Sequence, residues 1–262
     1  MLKQGLRLLT AAAASVALVA LSSCSVMGGG GSSGNSGSSG GGYTDITNQI
    51  ASWDMCKVLS IDSVYEHTNA VGYISEPAHI GLGSASNAEA ISCSAMLESP
   101  LTDEDRNVRY DVLLSVFPGK STAHVDDMWE IRQGGFFRDA VQENTKGMTE
   151  DDLVIDKDIE GPWSQGHAYA FFGTEGETAG GSGSMIINVR TENYMVELYM
   201  HLPDDPAKTQ AARYELSPEE VDSRTSLTFD RVEFANWAVD EHIHEMFEAV
   251  TNALEDDSGV QR

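Results

Sequence analysis

"MIINVR" (185–190) and "NYMVELYMHL" (193–202) carry the reading on which the fold turns. The bodies of both runs are largely apolar on both faces, with Glu197 the one acid among them. A strand with one wet face alternates apolar with polar residues, whereas a strand covered on both faces reads as a continuous apolar run. The two runs are therefore expected to form a hairpin at the covered centre of a sheet.

Other elements follow outward from that hairpin. "AISCSAMLE" (90–98) and "VRYDVLLSVFP" (108–118) read as strands joined by a turn over 101–107. "LVIDKDI" (153–159) and "GHAYAFFG" (166–173) read as two more, followed by the glycine-rich loop "TEGETAGGSGS" (174–184). "CKVLSIDSVYEHTNAVGY" (56–73) reads as one helix with Ser60 as N-cap, Asp62 in its first turn and Gly72 beyond its end. A second helix starts at Ser121 or Thr122 and includes "HVDDMWEIRQGGFFRDAVQE" (124–143), which Gly134-Gly135 breaks or bends. "LPDDPAK" (202–208) punctuates the chain, and "ELSPEEVDSR" (215–224) begins a short helix. Ala235, Val239, Ile243, Met246, Val250 and Leu254 share one face of a C-terminal amphipathic helix. Sequence-adjacent strands with helices at the ends predict a single α+β domain over 43–254, an antiparallel sheet covered by helices. No second linker or repeat interrupts it, about 210 residues suffice for one core, and an acidic disordered tail is expected over 255–262.

The amino terminus places the domain. Lys3 and Arg7 precede an apolar stretch, Leu8–Leu21, that is too short for a comfortable membrane span of about 20 residues. Small residues follow, as at a secretory cleavage site. Leu21-Ser22-Ser23-Cys24 resembles the lipobox of bacterial lipoproteins, in which cleavage falls just before the cysteine. The resemblance implies a signal peptide over 1–23 and a Cys24 that becomes the lipidated first residue of the mature chain. Two acyl chains anchor stably where one does not. Residues 25–42 hold no aromatic or β-branched side chain apart from Val26, so they cannot bury enough surface to offset chain entropy. They are expected to act as a tether with a root-mean-square span of about 23 Å and a limit of about 60 Å. The expected location is the extracytoplasmic face of the cell membrane.

The formal charge is −25, and losing Lys3 and Arg7 with the signal segment would take it to −27. Such a charge argues against nucleic acid and against anionic lipid headgroups as partners. It permits Ca²⁺, cationic peptides or amines, although solubility alone accounts for it. With Cys24 lipidated, Cys56 and Cys93 remain, and an even pair in an exported domain reads as a disulfide rather than a catalytic thiol.

Trp53-Asp54-x-Cys56, the Leu59-Ser60 helix start and Cys93-Ser94-Ala95 resemble the uncharacterised actinobacterial lipoproteins grouped as a domain of unknown function. Those proteins typically show Asp-Pro-Cys and Cys-x-Trp, where this chain has Asp54-Met55-Cys56 and Ala95. The resemblance spans about 53–95 plus the signal, and it implies no catalytic residues.

Short motifs carry little chemistry. "SVFPGKST" (115–122) ends like a phosphate loop, but Leu114 stands where the first glycine belongs and Pro118 removes a backbone donor. Gly37-Ser38-Ser39-Gly40-Gly41 spells a nucleophile elbow inside the tether, without a strand before it or a helix after it. Gly81-Leu82-Gly83 has Ser86 in place of the third glycine of a dinucleotide turn. Asp156, Asp158, Glu160 and Gly161 occupy early positions of an EF-hand-like loop, yet His167 stands at position 12. His242 and His244 lie about 200° apart on a regular helix and cannot chelate one metal. Trp237, Glu241, His244 and Glu248 share the face opposite the apolar stripe and form a candidate binding face, with a solvated surface as the plainer reading. No catalytic residue, cofactor or metal is expected. The expected function is a membrane-tethered binding or accessory domain whose partner is a membrane or cell-wall protein or a small ligand. The alternative is a cell-envelope hydrolase using paired carboxylates.

Overall fold

The computed structural model describes residues 43–84, 88–103, 106–134, 153–172, 183–202, 217, 219 and 229–260. The expectations for the signal segment, Cys24, the tether and 135–143 lie outside the described residues, as do most of the glycine-rich loop and of 215–224. The strands are β1 (Gly72–Ile80), β2 (Ile91–Asp103), β3 (Arg106–Pro118), β4 (Leu153–Asp158), β5 (Gln165–Phe172), β6 (Gly183–Arg190) and β7 (Tyr194–Leu202). The helices are α1 (Thr47–Ile50), α2 (Met55–Val58), α3 (Asp62–His67), α4 (Thr122–Gly134) and α5 (Arg231–Trp237). A π-helical turn (Ala238–His242) then leads into α6 (Ile243–Val260).

All seven strands form one sheet in the order β1-β2-β3-β7-β6-β5-β4, and each neighbouring pair is antiparallel. The chain is thus an α+β domain. Two meanders, β1–β3 and β4–β7, meet where β3 pairs with β7, and β7 lies at the centre. That position explains the apolar runs of 185–190 and 193–202, since both faces of these strands are covered. On one face Val112, Leu114, Ile187, Val196, Leu198 and Met200 pack into the main core with α1–α3, α5 and α6. Along the C-terminal element Ala235, Val239, Ile243, Met246 and Val250 are all buried, as their spacing predicts, while Leu254 is half-buried against the core. On the other face a smaller cluster of Ala90, Phe117 and Met195 receives Val125, Met128 and Trp129 of α4.

Cys56 and Cys93 form a disulfide, with Cα atoms 4.8 Å apart, that fastens α2 to β2. Among the described residues no helix is long and apolar enough to cross a membrane.

Four expectations are corrected. The single helix over 56–73 is instead α2 and α3, separated by an extended step in which Leu59 and Ile61 both enter the core. Burying residues two apart favours extended chain, and the helix yields. Ser60 still helps start α3, its Oγ accepting from the Asp62 N–H at 3.1 Å. Gly72 opens β1, a strand absent from the sequence reading. Pro77, two register shifts against β2 and largely exposed or half-buried side chains erase its alternation, as befits an edge strand. The turn expected over 101–107 is also shorter, since β2 runs to Asp103 and β3 starts at Arg106. Helix α6 continues to Val260, into the segment assigned to a loose acidic tail.

Candidate functional site

Side chains of a strand alternate between faces, so β7 sends Val196, Leu198 and Met200 to the main core and Met195, Glu197, Tyr199 and His201 to the α4 side. Strand register extends that second set across the sheet. Ser115 and Asn188 flank Glu197; Ser92 lies beyond Ser115, and His167 and Asp158 lie beyond Asn188. A polar row thus crosses six strands on the α4 face.

Glu197 sits at its centre and is 1% exposed. The Nη1 of Arg132, in the last turn of α4, donates to both its carboxylate oxygens at 2.9 and 3.0 Å. The same guanidinium lies 4.3 Å from the centroid of Phe117. Burial pushes the Glu197 carboxyl above its ordinary value, and Arg132 offsets part of that rise. The Ser92 and Ser115 hydroxyls bond each other at 2.8 Å. The buried Asn188 Oδ1 has no hydrogen-bond partner among the described residues. Helix α4 is held further by an Arg190–Asp126 ion pair and by Arg190 against the Trp129 ring.

At the end of the row both ring nitrogens of His167 face carboxylates, Nδ1 to Asp158 Oδ1 and Nε2 to Asp156 Oδ1, each at 2.9 Å. The EF-hand-like reading therefore does not take shape: Asp156 and Asp158 lie on β4 with their carboxylates occupied by the imidazole. Gly161 is packed under Trp163, whose Cε2 would stand 2.6 Å from an added Cβ. Among the described residues no group of three or more His, Cys, Asp or Glu side chains is arranged to hold a metal.

A second row lies four residues along β7. Asp111 of β3 stands opposite His201, and Ser184 of β6 flanks His201 on its other side. The Ser184 Oγ is 3.5 Å from His201 Nδ1 and also bonds the Tyr199 phenol. All four side chains are half-buried. Burial lowers the His201 pKa, while Asp111 and a hydrogen bond to the Gly183 backbone oppose it and Arg109 adds to it. Burial raises the Tyr199 pKa, Ser184 opposes this, and the charges of Asp111 and Glu197 reinforce it. Asp111 Oδ1 is buried, 3.6 Å from the Arg109 Nε and without a hydrogen bond among the described residues.

The candidate face on the C-terminal helix divides. Trp237 is half-buried, and its ring stacks on His67 at 3.6 Å and on His242 at 4.9 Å. In a regular α-helix, residues five apart sit about 140° apart; the i→i+5 spacing of the π turn brings His242 to Trp237 instead. His244 packs beside Trp163, 4.6 Å between ring centroids, while Glu241 and Glu248 remain exposed. The two rings thus serve different neighbours and the two carboxylates face water. His242 itself is 3% exposed, with Nδ1 3.5 Å from Glu245 Oε2 and a buried Nε2 that has no hydrogen-bond partner among the described residues. Burial lowers its pKa, Glu245 opposes that, and His67 adds to it.

Of the groups on the α4 face, Glu197 was conspicuous in the sequence as the acid in an apolar run, and Asp156, Asp158 and His167 through the EF-hand-like spacing. Arg132, Asn188, Ser184 and His201 had no signal of their own, because their neighbours come from distant strands. Comparison with protein-family models, curated proteins and solved structures finds no match.

Proposed function

We propose that the protein is a lipid-anchored extracytoplasmic binding domain, tethered through Cys24, that engages a small ligand or a membrane or cell-wall protein along the α4 side of its sheet. The observation that carries this reading is the polar row from Ser92 to Asp158 across six strands. Burying polar groups costs free energy unless they are paired, and an apolar row would hold the sheet as well. Among the described residues the buried Asn188 Oδ1 is an acceptor without a partner, which suits a bound group that supplies a donor. The alternative of paired carboxylates gains less support, since Glu197 is engaged by Arg132, and Asp156 and Asp158 by His167.

Two measurements test the reading. Cys24→Ala should release the protein from the membrane fraction; a variant that stays membrane-bound overturns the anchor. A photo-cross-linker at Tyr169, on the sheet face, should capture one ligand or partner in intact membranes, whereas the same probe at Asn252 on α6 should not. Equal capture from both positions, or none from Tyr169, overturns the assignment of the face.

A further inference from the structure

Ser184, His201, Asp111 and Tyr199 make up a set that the binding reading does not use. They come from three adjacent strands, β6, β7 and β3, and occupy neighbouring positions on one face. The serine hydroxyl touches an imidazole nitrogen on one side and a phenol on the other. A carboxylate stands beside that imidazole, and all four groups are half-buried, so water is thinned but a substrate is not shut out.

We propose that this row is an acyl-transfer site that hydrolyses carboxylic esters, with Ser184 as nucleophile, His201 as general base and Tyr199 as the donor to the oxyanion. Ser184 Oγ bonds to the ester carbonyl carbon as its proton passes to His201 Nδ1, in the tautomer that carries its proton on Nε2. The carbonyl oxygen becomes the oxyanion and receives the Tyr199 hydroxyl. The carbon–alkoxy bond then breaks, and His201 returns the proton to the departing alcohol. Water attacks the acyl carbon and gives a proton to His201; the carbon–Oγ bond then breaks, His201 returns that proton to Ser184 Oγ, and the acid leaves. The sum is ester plus water giving acid plus alcohol.

Protonation states agree with these roles. Burial disfavours the charged imidazole and so keeps His201 a base near neutral pH. It equally disfavours the phenolate, so Tyr199 keeps the proton it must donate. Asp111 is a positioning residue: it faces His201 across β3 and β7 and stabilises the imidazolium formed in each step. A contact of 3.5 Å between nucleophile and base is long, and such contacts shorten when substrate arrives.

The full-length chain in detergent micelles should form an adduct with a fluorophosphonate, found by mass spectrometry on the peptide that holds Ser184. Ser184→Ala and His201→Gln should each slow p-nitrophenyl butyrate hydrolysis at least about 100-fold. Tyr199→Phe should lower kcat about 100-fold with KM unchanged. Asp111→Asn should shift the acid limb of the kcat/KM profile to lower pH, which a merely structural role would not do. Absence of an adduct at Ser184 in the wild-type chain overturns the proposal, as does hydrolysis that survives Ser184→Ala at the wild-type rate. Neither result bears on the anchor or on capture from Tyr169.

Discussion

Replacing Arg132 by Met removes the guanidinium that holds the Glu197 carboxylate, while keeping an unbranched side chain over Phe117. Breaking a buried ion pair by deleting one partner costs about 3–5 kcal/mol, because the other charge is left uncompensated. Arg132 keeps a quarter of its side-chain surface in water, which places the cost at the low end, about 3 kcal/mol. For a domain of this size that corresponds to a Tm lower by about 6–12 °C. The cost should shrink as pH falls and Glu197 takes a proton. Urea unfolding of the full chain with its disulfide intact supplies the free energies. Removing both partners, in Arg132→Met with Glu197→Leu, should recover most of the loss, since an apolar pair of similar volume is often neutral or better in such a place. A single variant that loses under about 1 kcal/mol, or a double variant no more stable than the single, would refute the claim that Glu197 is a desolvated charge held by Arg132.

Other outcomes follow from the same structure. Because burial lowers the His242 pKa below that of the unfolded chain, the unfolded state binds more protons; stability is fully present above about pH 6.5 and is lost as pH falls below it. His242→Gln should flatten that dependence when urea midpoints at pH 8 and pH 5.5 are compared, and an unchanged slope would discard the account. Gly166→Ala would place a methyl 2.7 Å from Ile159 Cγ1 and 2.9 Å from the Ile159 carbonyl; a loss of about 1–3 kcal/mol in calorimetry is expected from such overpacking. Cys56→Ser with Cys93→Ser should cost about 4 kcal/mol on the chain-entropy model for a separation of 37 residues, read as a lower urea midpoint that reductant no longer moves.

The parts of the fold that were legible share one property: their evidence is local. Strands β2, β3, β6 and β7 show as apolar runs, and the last helix shows as a 3.6-residue period, because burial of a whole face leaves its mark within a few residues. Strand β1 leaves no such mark, since it is an edge whose side chains are largely exposed or half-buried and whose register slips twice. The π turn was invisible for a different reason. A regular helix spaces Trp237, His242 and His244 at about 100° per residue, and one altered turn moves every later residue around the axis. The α4-side rows depend on which distant strands are neighbours. Nothing near Glu197 in the chain announces Ser115 or Arg132, and nothing near His201 announces Asp111.

The junction of the two meanders has a kinetic consequence. Within β1–β3 and within β4–β7 each strand pairs with its neighbour in the chain, so both halves can zip up from short loops. Their joining is another matter, since Val116 must find Val196 across about 80 residues of intervening chain, and distant pairings of this sort are what slow folding. Ser115 meets Glu197, and Asp111 meets His201, only where the two halves join. A half-formed chain therefore holds neither row complete, and whatever chemistry the α4 side performs is withheld until the molecule has finished assembling.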